Sequence, residues 1–244
     1  MPSRVLILGG TGGIGSALAR IVVASGGRVF LAGRDAAKLE ALGGEIGMPS
    51  APVDATDLDA VDACADRAAE ALGGLTGIAN CVGSILLKPA HLTSPAEWHT
   101  TLAQNLTSGF GCVRVAGRLL KADGGSVVLV SSAAARIGLA NHEAIAAAKA
   151  GLEGLVRSAA ATYAKHRIRF NAVAPGLVRT PLTRGIVSTE LAEKASLAMH
   201  PLGRLGEPGD VARAIAFLLD PAQDWITGQV LGVDGGLADV KARA

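Results

Sequence analysis

A run of closely spaced glycines between positions 9 and 15 is the first group of residues whose type and spacing suggest chemistry. The apolar run Val5–Leu8 precedes it, and a helical stretch follows at once. Backbone amides at a helix N-terminus attract a pyrophosphate, and glycines let phosphates approach the backbone closely. Two spacings fit equally well: G-x-G-x-x-G through Gly10, Gly12 and Gly15, and G-x-x-x-G-x-G through Gly9, Gly13 and Gly15. The run could serve only to pack a helix on a strand, but its position after a first strand favours nucleotide binding.

The end of the second predicted strand could select between two dinucleotides. An acid there would bind the ribose 2′-hydroxyl of NAD, whereas an arginine accommodates the 2′-phosphate of NADP. The strand ends in Gly33, Arg34 and Asp35. Gly33 in the acid's place leaves room for a phosphate that Arg34 can bind bidentately, and Asp35 fits better as the N-cap of the next helix. This pattern predicts NADP(H) in preference to NAD(H). A solvated loop charge is the alternative interpretation of Arg34.

The elements that must position these residues alternate along the whole chain. Short β-type runs are expected at 5–8, 29–32, 51–53, 77–80, 127–131, 168–173 and 229–233, and helices near 13–25, 35–46, 58–72, 95–121, 142–166 and 208–220. Strand–helix alternation predicts a parallel sheet with helices on both faces. Several continuous apolar strands agree with a sheet that is covered on both faces. We therefore predict an α/β fold, a Rossmann-type doubly wound sheet of seven parallel strands, in a single domain over 1–244.

Composition narrows the class further. The 244 residues suit one large α/β domain, and with 3% aromatic residues its core must consist of Ala, Val, Leu and Ile. A net charge of +2, with both signs interspersed, gives no reason to expect nucleic acid or a membrane as a partner. The N-terminal apolar run is too short for a signal peptide. Cys64, Cys81 and Cys112 lie too far apart for a metal-ligand pair or a disulfide framework, which predicts no metal site and a reducing, cytoplasmic location.

One long stretch, 175–207, lacks clear periodicity, contains three prolines and is followed at once by Pro208. A long ordered loop in a compact domain is often a lid over a site. We therefore expect a substrate lid near 177–206. Its apolar residues suggest an apolar ligand, although they could merely pack; they are Leu177, Leu182, Ile186 and Leu197.

Further motifs follow one another along almost the whole chain. They are Asn80-Cys81-Val82-Gly83 after the fourth strand, Asn105 in a helix, Val128–Ser132 in the fifth strand, Ile168–Gly176 with Val178 and Thr180 in and after the sixth strand, and Trp225–Gln229 with Asp234–Gly236 near the C-terminus. Together with the glycine turn, this series resembles the short-chain dehydrogenase/reductase family and, within it, the beta-ketoacyl carrier-protein reductases. So many matches in one order are far more specific than any single motif.

The resemblance implies a role for each matched residue. Asn105 would hold a proton-relay water, Ser132 would orient the substrate carbonyl, and Lys149 would hold the nicotinamide ribose. The residues implied to bind NADP(H) are Gly9, Thr11, Gly12, Gly13, Ile14, Gly15, Arg34, Asp54, Ala55, Asn80, Cys81, Val82, Gly83, Lys149, Pro175, Gly176, Val178 and Thr180, with Asp54 placed at the adenine.

The catalytic motif departs from the family pattern at one position. The family pair Y-x-x-x-K reads Ile145-Ala-Ala-Ala-Lys149 here, and the chain's only tyrosine, Tyr163, lies far along the same helix. Isoleucine has no proton to give, and general acid–base catalysis contributes roughly 10²–10⁴-fold. His142, three residues earlier, could replace the donor, or it could simply face solvent at the helix start. Lys149 acting through water is a further candidate. Leu8, where the family usually has threonine, is a minor change.

Two functions from different classes follow from this pattern. The first is an NADP-dependent oxidoreductase that acts on a carbonyl or alcohol with a substituted proton donor. The second is a catalytically silent nucleotide-binding paralogue that serves as a sensor or as a partner subunit. Retention of Asn105, Ser132 and Lys149 favours the first. Family resemblance also implies a homo-oligomer, a dimer or a tetramer, through the helices near 95–121 and 142–166.

Overall fold

The computed structural model describes residues 3–241, which form a seven-stranded parallel sheet with helices on both faces. Its strands are β1 (Arg4–Leu8), β2 (Arg28–Gly33), β3 (Ser50–Pro52), β4 (Gly77–Asn80), β5 (Gly125–Val130), β6 (Ile168–Pro175) and β7 (Val230–Val233). Its α-helices are α1 (Gly13–Ala24), α2 (Ala36–Ile46), α3 (Leu58–Leu72), α4 (Pro95–Leu102), α5 (Ser108–Leu119), α6 (Glu143–Tyr163), α7 (Glu190–Ala198) and α8 (Pro208–Leu219). The predicted fold class is confirmed.

The strand order is β3-β2-β1-β4-β5-β6-β7, so the winding direction reverses between β1 and β4. Leu8 at the end of β1 pairs with Ala32 of β2 on one side and with Asn80 of β4 on the other. The chain therefore leaves three neighbouring strands at the same edge of the sheet. In open α/β sheets the crevice at such a switch point is where ligands bind.

The two faces of the sheet bury separate apolar clusters. Along β1, Leu6 and Leu8 point to one cluster with α3, α5 and α6, whereas Val5 and Ile7 point to the other with α1, α2 and α8. This alternation follows from the two-residue period of a strand. Phe30 and Phe170 are the aromatic residues among the buried members, so Ala, Val, Leu and Ile fill most of both clusters, as the composition predicts.

Two local predictions need correction. The helix expected near 95–121 is divided by a π-helical turn, Ala103–Thr107, between α4 and α5. The stretch 175–207 contains α7, which begins where the Thr189 hydroxyl accepts a hydrogen bond from the amide of Ala192 at 3.2 Å. Ser196 is the one buried residue of α7, and a short helix with so little buried surface leaves almost no periodic signal in the sequence.

Candidate active site

The glycine turn is built from positions that have no room for a side chain. Gly9 has a φ of 72°, and a Cβ there would lie 2.8 Å from the backbone of Cys81. A Cβ on Gly15 would lie 2.3 Å from the carbonyl oxygen of Gly9, and one on Gly13 would lie 2.8 Å from Cγ2 of Thr180. These contacts fall below 3.0 Å at all three positions of the G-x-x-x-G-x-G spacing. The structure therefore explains that spacing better than the alternative one.

A cleft of about 750 Å³ opens beside this turn, at the carboxyl ends of the strands. Twelve of the predicted binding residues line it: Gly9, Thr11, Gly12, Gly13, Ile14, Arg34, Asp54, Ala55, Cys81, Val82, Gly83 and Thr180. They come from five separate parts of the chain, which follow β1, β2, β3, β4 and β6. The sheet topology thus brings together residues that the sequence analysis grouped by motif.

One end of the cleft is open and is lined by two basic and two acidic side chains. A Cβ on Gly33 would meet only Oγ1 of Thr11, at 3.6 Å, so space remains beside it. Arg34 is exposed at this end and Lys38 lines the same wall. Asp35 is the N-cap of α2, since its Oδ1 accepts a hydrogen bond from the amide of Lys38 at 3.1 Å, as predicted. The acid is therefore occupied by the helix start and by an ion pair with the Lys38 ammonium at 2.8 Å.

Asp54 closes the same end of the cleft. Its Oδ1 accepts hydrogen bonds from the backbone amide and the hydroxyl of Thr56, at 2.9 and 2.8 Å. These bonds hold the pKa of the Asp54 carboxyl below its ordinary value, and the neighbouring Arg34 contributes in the same direction. Asp54 is thus a fixed, ionised acceptor on the cleft wall.

At the other end of the cleft, two of the three predicted catalytic residues, Asn105 and Lys149, approach the cleft at Gly83. A Cβ on Gly83 would lie 3.0 Å from Oδ1 of Asn105 and 3.6 Å from Nζ of Lys149. Only a glycine therefore leaves space in front of both side chains. Cys81, on the same strand exit, is close enough for its thiol and the Lys149 ammonium to affect each other's ionisation.

Lys149 is a buried amine, with 6% of its surface exposed. Its Nζ donates a 2.6 Å hydrogen bond to the carbonyl oxygen of Val130, at the end of β5. Burial lowers the pKa of Lys149 to about 8, because the charged form loses its hydration. An ammonium has three N–H donors, and among the described residues this carbonyl is the acceptor in contact with it. Two donors therefore remain for a ligand.

Asn105 lies in the π-helical turn, and its side chain makes three hydrogen bonds. Its Nδ2 donates to Oγ of Ser84 at 2.9 Å and to the carbonyl oxygen of Thr101 at 3.0 Å, while its Oδ1 accepts from the amide of Ser84 at 3.2 Å. The side chain therefore fixes the segment after β4. Single π-helical turns inside helices occur frequently at functional sites.

The two serines at the end of β5 face different surroundings. Ser131 is buried and donates to Oε1 of Glu153 at 2.8 Å, which ties β5 to α6. Ser132 is half-buried, and its hydroxyl oxygen accepts a hydrogen bond from the amide of Ala134 at 3.2 Å. That bond leaves the hydroxyl hydrogen of Ser132 free to donate.

Ile145 lies in the first turn of α6, four residues before Lys149, with 5% of its surface exposed. It belongs to neither of the two core clusters. Tyr163 ends the same helix, about 27 Å away at a rise of about 1.5 Å per residue, and its ring packs on Phe170 with centroids 5.6 Å apart. His142 is half-buried at the start of α6, makes no capping bond, and has Nδ1 2.7 Å from the carbonyl oxygen of Ala140.

Several predicted binding residues lie behind the cleft rather than in its wall. Asn80 is buried and joins Ser108 through Nδ2 at 3.0 Å. Gly15 packs inside the turn, Val178 is buried, and Gly176 lines a second cavity of about 430 Å³. Conversely, five wall residues were not predicted as binding residues from the sequence: Lys38, Val53, Thr56, Gln104 and Pro181. Lys38 could have been predicted, because it lies in the first turn of α2, the helix that follows Gly33 and Arg34.

Comparison with known proteins agrees with this geometry. A family model described as Enoyl-(Acyl carrier protein) reductase matches residues 9–238. The chain is 38% identical over 242 residues to a Cis-4-hydroxycyclohexanecarboxylate dehydrogenase of Sinomonas cyclohexanicum, covering 96% of both chains. It is 35% identical over 230 residues to an Inactive 2-(S)-hydroxypropyl-CoM dehydrogenase 2 of Xanthobacter autotrophicus, covering 91% of this chain and 100% of that one. A short-chain type dehydrogenase/reductase structure from Mycobacterium ulcerans superposes with a TM-score of 0.93 at 30% identity, covering 97% and 90% of the two chains.

Seven parallel strands in this order, with a glycine-lined cleft at the switch point, define an α/β protein of the doubly wound, dinucleotide-binding class. The chain belongs to the short-chain dehydrogenase/reductase family, as its motifs predict. Family membership implies an oxidoreductase that uses NAD(P)(H). Within residues 3–241, none of the helices combines the length and the apolar character needed to span a membrane.

Proposed function

We propose that the protein binds NADP(H) in the 750 Å³ cleft and acts as an oxidoreductase on a small carbonyl or alcohol substrate, with an atypical active site at Ile145. The observation that carries the proposal is the arrangement around Gly83. There the glycine-lined cleft reaches the buried amine of Lys149 and the side chain of Asn105. A cleft that served only for packing would not need a buried, incompletely bonded ammonium at its end.

The cleft fits the coenzyme on three grounds. Five of the seven residues of the Gly9–Gly15 turn are glycines, so a pyrophosphate can approach the backbone amides and the start of α1 closely. The open space at Gly33, beside the exposed guanidinium of Arg34, suits a 2′-phosphate better than a bare hydroxyl. The two unused donors of Lys149 suit ribose hydroxyls. The remaining parts of the coenzyme would contact Asp54, Thr180 and the glycine turn.

The chemistry that NADP(H) supplies when bound is hydride transfer to or from the substrate carbon. In this chain, the free hydroxyl hydrogen of Ser132 would donate to the substrate oxygen and orient it. Lys149 would hold positive charge near that oxygen. Ile145 excludes water but moves no proton, so the proton must come from Lys149 through water or from His142. We propose that this substitution slows ordinary carbonyl reduction.

A second candidate function is a catalytically silent, nucleotide-binding subunit or sensor. Two observations favour it. Ile145 is buried where the family resemblance places a tyrosine hydroxyl, and one of the similar relatives carries the word inactive in its name. Binding by the glycine turn and by Lys149 would persist in this case, while turnover would be absent.

We also propose that the chain is one domain, with a lid over 177–206 that closes on substrate. Thr180, Pro181 and Leu182 of this segment already form part of the cleft wall. The exposed apolar side chains of Leu182, Leu191 and Leu202 give the segment a surface for an apolar ligand.

A homo-tetramer is the proposed assembly. Phe110 on α5 is 45% exposed, and Trp98 on α4 is also exposed, in the helices that the sequence analysis assigned to an interface. Trp225, which is 96% exposed, and the exposed Phe217 and Leu231 lie on α8, on β7 and in the segment between them. A closed tetramer with dihedral symmetry needs two different isologous faces, and these two apolar sets would supply them.

Turnover separates the two candidate functions. Purified protein is incubated with NADPH and a panel of ketones and aldehydes, and with NADP⁺ and the matching alcohols, while absorbance of the reduced coenzyme is followed. An oxidoreductase gives substrate-dependent turnover that Lys149→Met abolishes. Binding of NADPH without turnover on any compound, even in the Ile145→Tyr variant, would replace this proposal with the silent subunit.

A further inference from the structure

His200 is a buried imidazole outside the proposed catalytic group, with 3% of its surface exposed. It follows α7 in the proposed lid and lines the second cavity. Both of its ring nitrogens contact backbone atoms. Nδ1 lies 2.7 Å from the carbonyl oxygen of Ser196, and Nε2 lies 3.1 Å from the amide nitrogen of Leu177.

These two partners define the protonation state of the ring. A carbonyl oxygen can only accept and a backbone N–H can only donate, so Nδ1 must carry the hydrogen and Nε2 must be the bare acceptor. The imidazole is therefore neutral and in the Nδ1–H form. A second proton on Nε2 would face the Leu177 N–H donor to donor and break that contact.

The chain makes room for this ring at Gly176. A Cβ there would lie 2.7 Å from Nε2 of His200 and 3.0 Å from Cα of Asp234. Glycine at this position is thus explained by the histidine that packs on it. This reason differs from direct coenzyme contact, which is what the family resemblance implies for Gly176.

The contacts of His200 join α7 to the turn after β6. The same turn is paired with the end of the lid, since Gly206 N donates to Leu177 O at 2.9 Å and Arg179 N donates to Gly206 O at 2.8 Å. The next residues of the turn, Val178 and Thr180, lead to the cleft wall at Gly13. His200 therefore stands between the lid helix and the segment that reaches the cleft.

Charged groups around the ring are already engaged elsewhere. The carboxylate of Asp234 accepts from the amides of Gly236 and Ala238, both at 2.9 Å. Across the second cavity, Asp210 is paired with Arg204 at 2.6 Å and with Arg213 at 2.7 Å. On the lid side, Glu193 of α7 pairs with Arg179 of the turn. Within residues 3–241, none of these charged groups forms a hydrogen bond with the ring nitrogens of His200.

We propose that neutral His200 is a positioning residue that holds the turn Pro175–Thr180 in its coenzyme-binding conformation through the Leu177 amide. The proposal rests on the proposed coenzyme site. It adds that the order of this turn depends on an uncharged imidazole. A second proton on the ring at low pH would release the Leu177 amide and thereby weaken NADPH binding.

The first test examines the two hydrogen bonds of the His200 ring in the absence of coenzyme. In protein labelled with ¹⁵N-histidine, the His200 ring should show a protonated Nδ1 and a bare Nε2 at pH 8. The Leu177 amide should show a hydrogen-exchange protection factor that falls about ten-fold or more in His200→Leu, because a buried donor loses its acceptor. An Nε2–H tautomer, or unchanged Leu177 protection in His200→Leu, would overturn the proposal.

The second test relates the hydrogen bonds of His200 to NADPH binding. NADPH affinity of the wild type should fall about ten-fold or more as the pH is lowered from about 8 to about 5. His200→Gln, whose side-chain oxygen supplies an acceptor that does not titrate, should show a clearly smaller dependence, because only protonation of the 2′-phosphate, with a pKa of about 6, remains. His99→Gln, an exposed histidine on α4, is the matched control and should keep the wild-type profile.

The outcomes separate this inference from the proposed function. If NADPH does not bind the wild type at any pH, the coenzyme site is wrong, while the Leu177 exchange still decides whether His200 fixes the turn. If Leu177 loses protection in His200→Leu but NADPH affinity is unchanged, the positioning role is wrong. If His200→Gln titrates as the wild type does, the pH dependence belongs to another group, and the proposal fails.

Discussion

At the scale of a single residue, Ile145 is the position on which the choice between the two candidate functions depends. It sits one helical turn before Lys149, with an aliphatic side chain at the position where the family resemblance places a hydroxyl. A tyrosine there would lie on the same face of α6 as the lysine. Ile145→Tyr should therefore raise carbonyl reduction by roughly 10²–10⁴-fold, measured as kcat/KM with NADPH.

Ile145→Phe is the matched control for that variant. It adds the ring but no hydroxyl, so it reports the cost of the larger side chain at a buried site, typically about 1–3 kcal/mol. It should leave turnover at the wild-type level or below. Equal gains from Phe and Tyr would mean that cleft shape, and not proton donation, limits the reaction.

At the same scale, the buried Lys149 predicts how the free energy of unfolding depends on pH. Its pKa is about 8 in the folded chain and 10.5 ordinarily, so between these values the unfolded chain binds a proton that the folded chain does not. Stability then rises with pH in this window. Relative to Lys149→Met, the wild-type free energy of unfolding in urea should rise by about 1.4 kcal/mol per pH unit between pH 8 and 10.5. A constant difference between the two proteins would contradict the lowered pKa.

At the scale of elements, two glycine substitutions distinguish a glycine required by close packing from one that only weakens a helix. A Cβ on Gly15 would overlap the carbonyl oxygen of Gly9, whereas one on Gly44 in α2 meets nothing within 4 Å. Gly15→Ala should lower stability by about 1–3 kcal/mol and abolish NADPH binding. Gly44→Ala should raise stability by about 0.5–1 kcal/mol and leave binding unchanged. Urea unfolding and calorimetry of both variants would show this, and a harmless Gly15→Ala would refute the described turn.

How much the sequence could predict also differs between elements. The seven strands and most helices were predictable, because continuous apolar runs alternate with Ala-rich stretches and burial follows that pattern. The helix α7 was not, since it buries only Ser196 and therefore leaves almost no periodic apolar signal in the sequence. The site shows the same division. The glycine turn and Arg34 carry local signals, while the meeting of Gly83, Asn105 and Lys149 depends on strand order, which local sequence does not encode.

At the scale of the whole molecule, the two exposed apolar sets predict a tetramer that can be taken apart one face at a time. Phe110→Glu should leave dimers joined through the β7 end, and Trp225→Glu should leave dimers joined through α4 and α5, because each charge would be buried in one interface. The double variant should be monomeric. Light scattering at micromolar concentration measures all four proteins. A monomeric wild type would remove the assembly while leaving the fold intact.

The most direct test of the central claim is titration calorimetry of the wild-type protein with NADPH and with NADH at low salt. We predict one NADPH per chain and weaker binding of NADH, by roughly 10- to 100-fold, from charge-assisted contacts of Arg34 with the 2′-phosphate. Arg34→Ala should remove most of this difference, and Arg67→Ala, an exposed arginine on α3 outside the cleft, should preserve it. Equal affinities for the two coenzymes would contradict the NADP assignment, and absence of binding for both would contradict the cleft as a dinucleotide site.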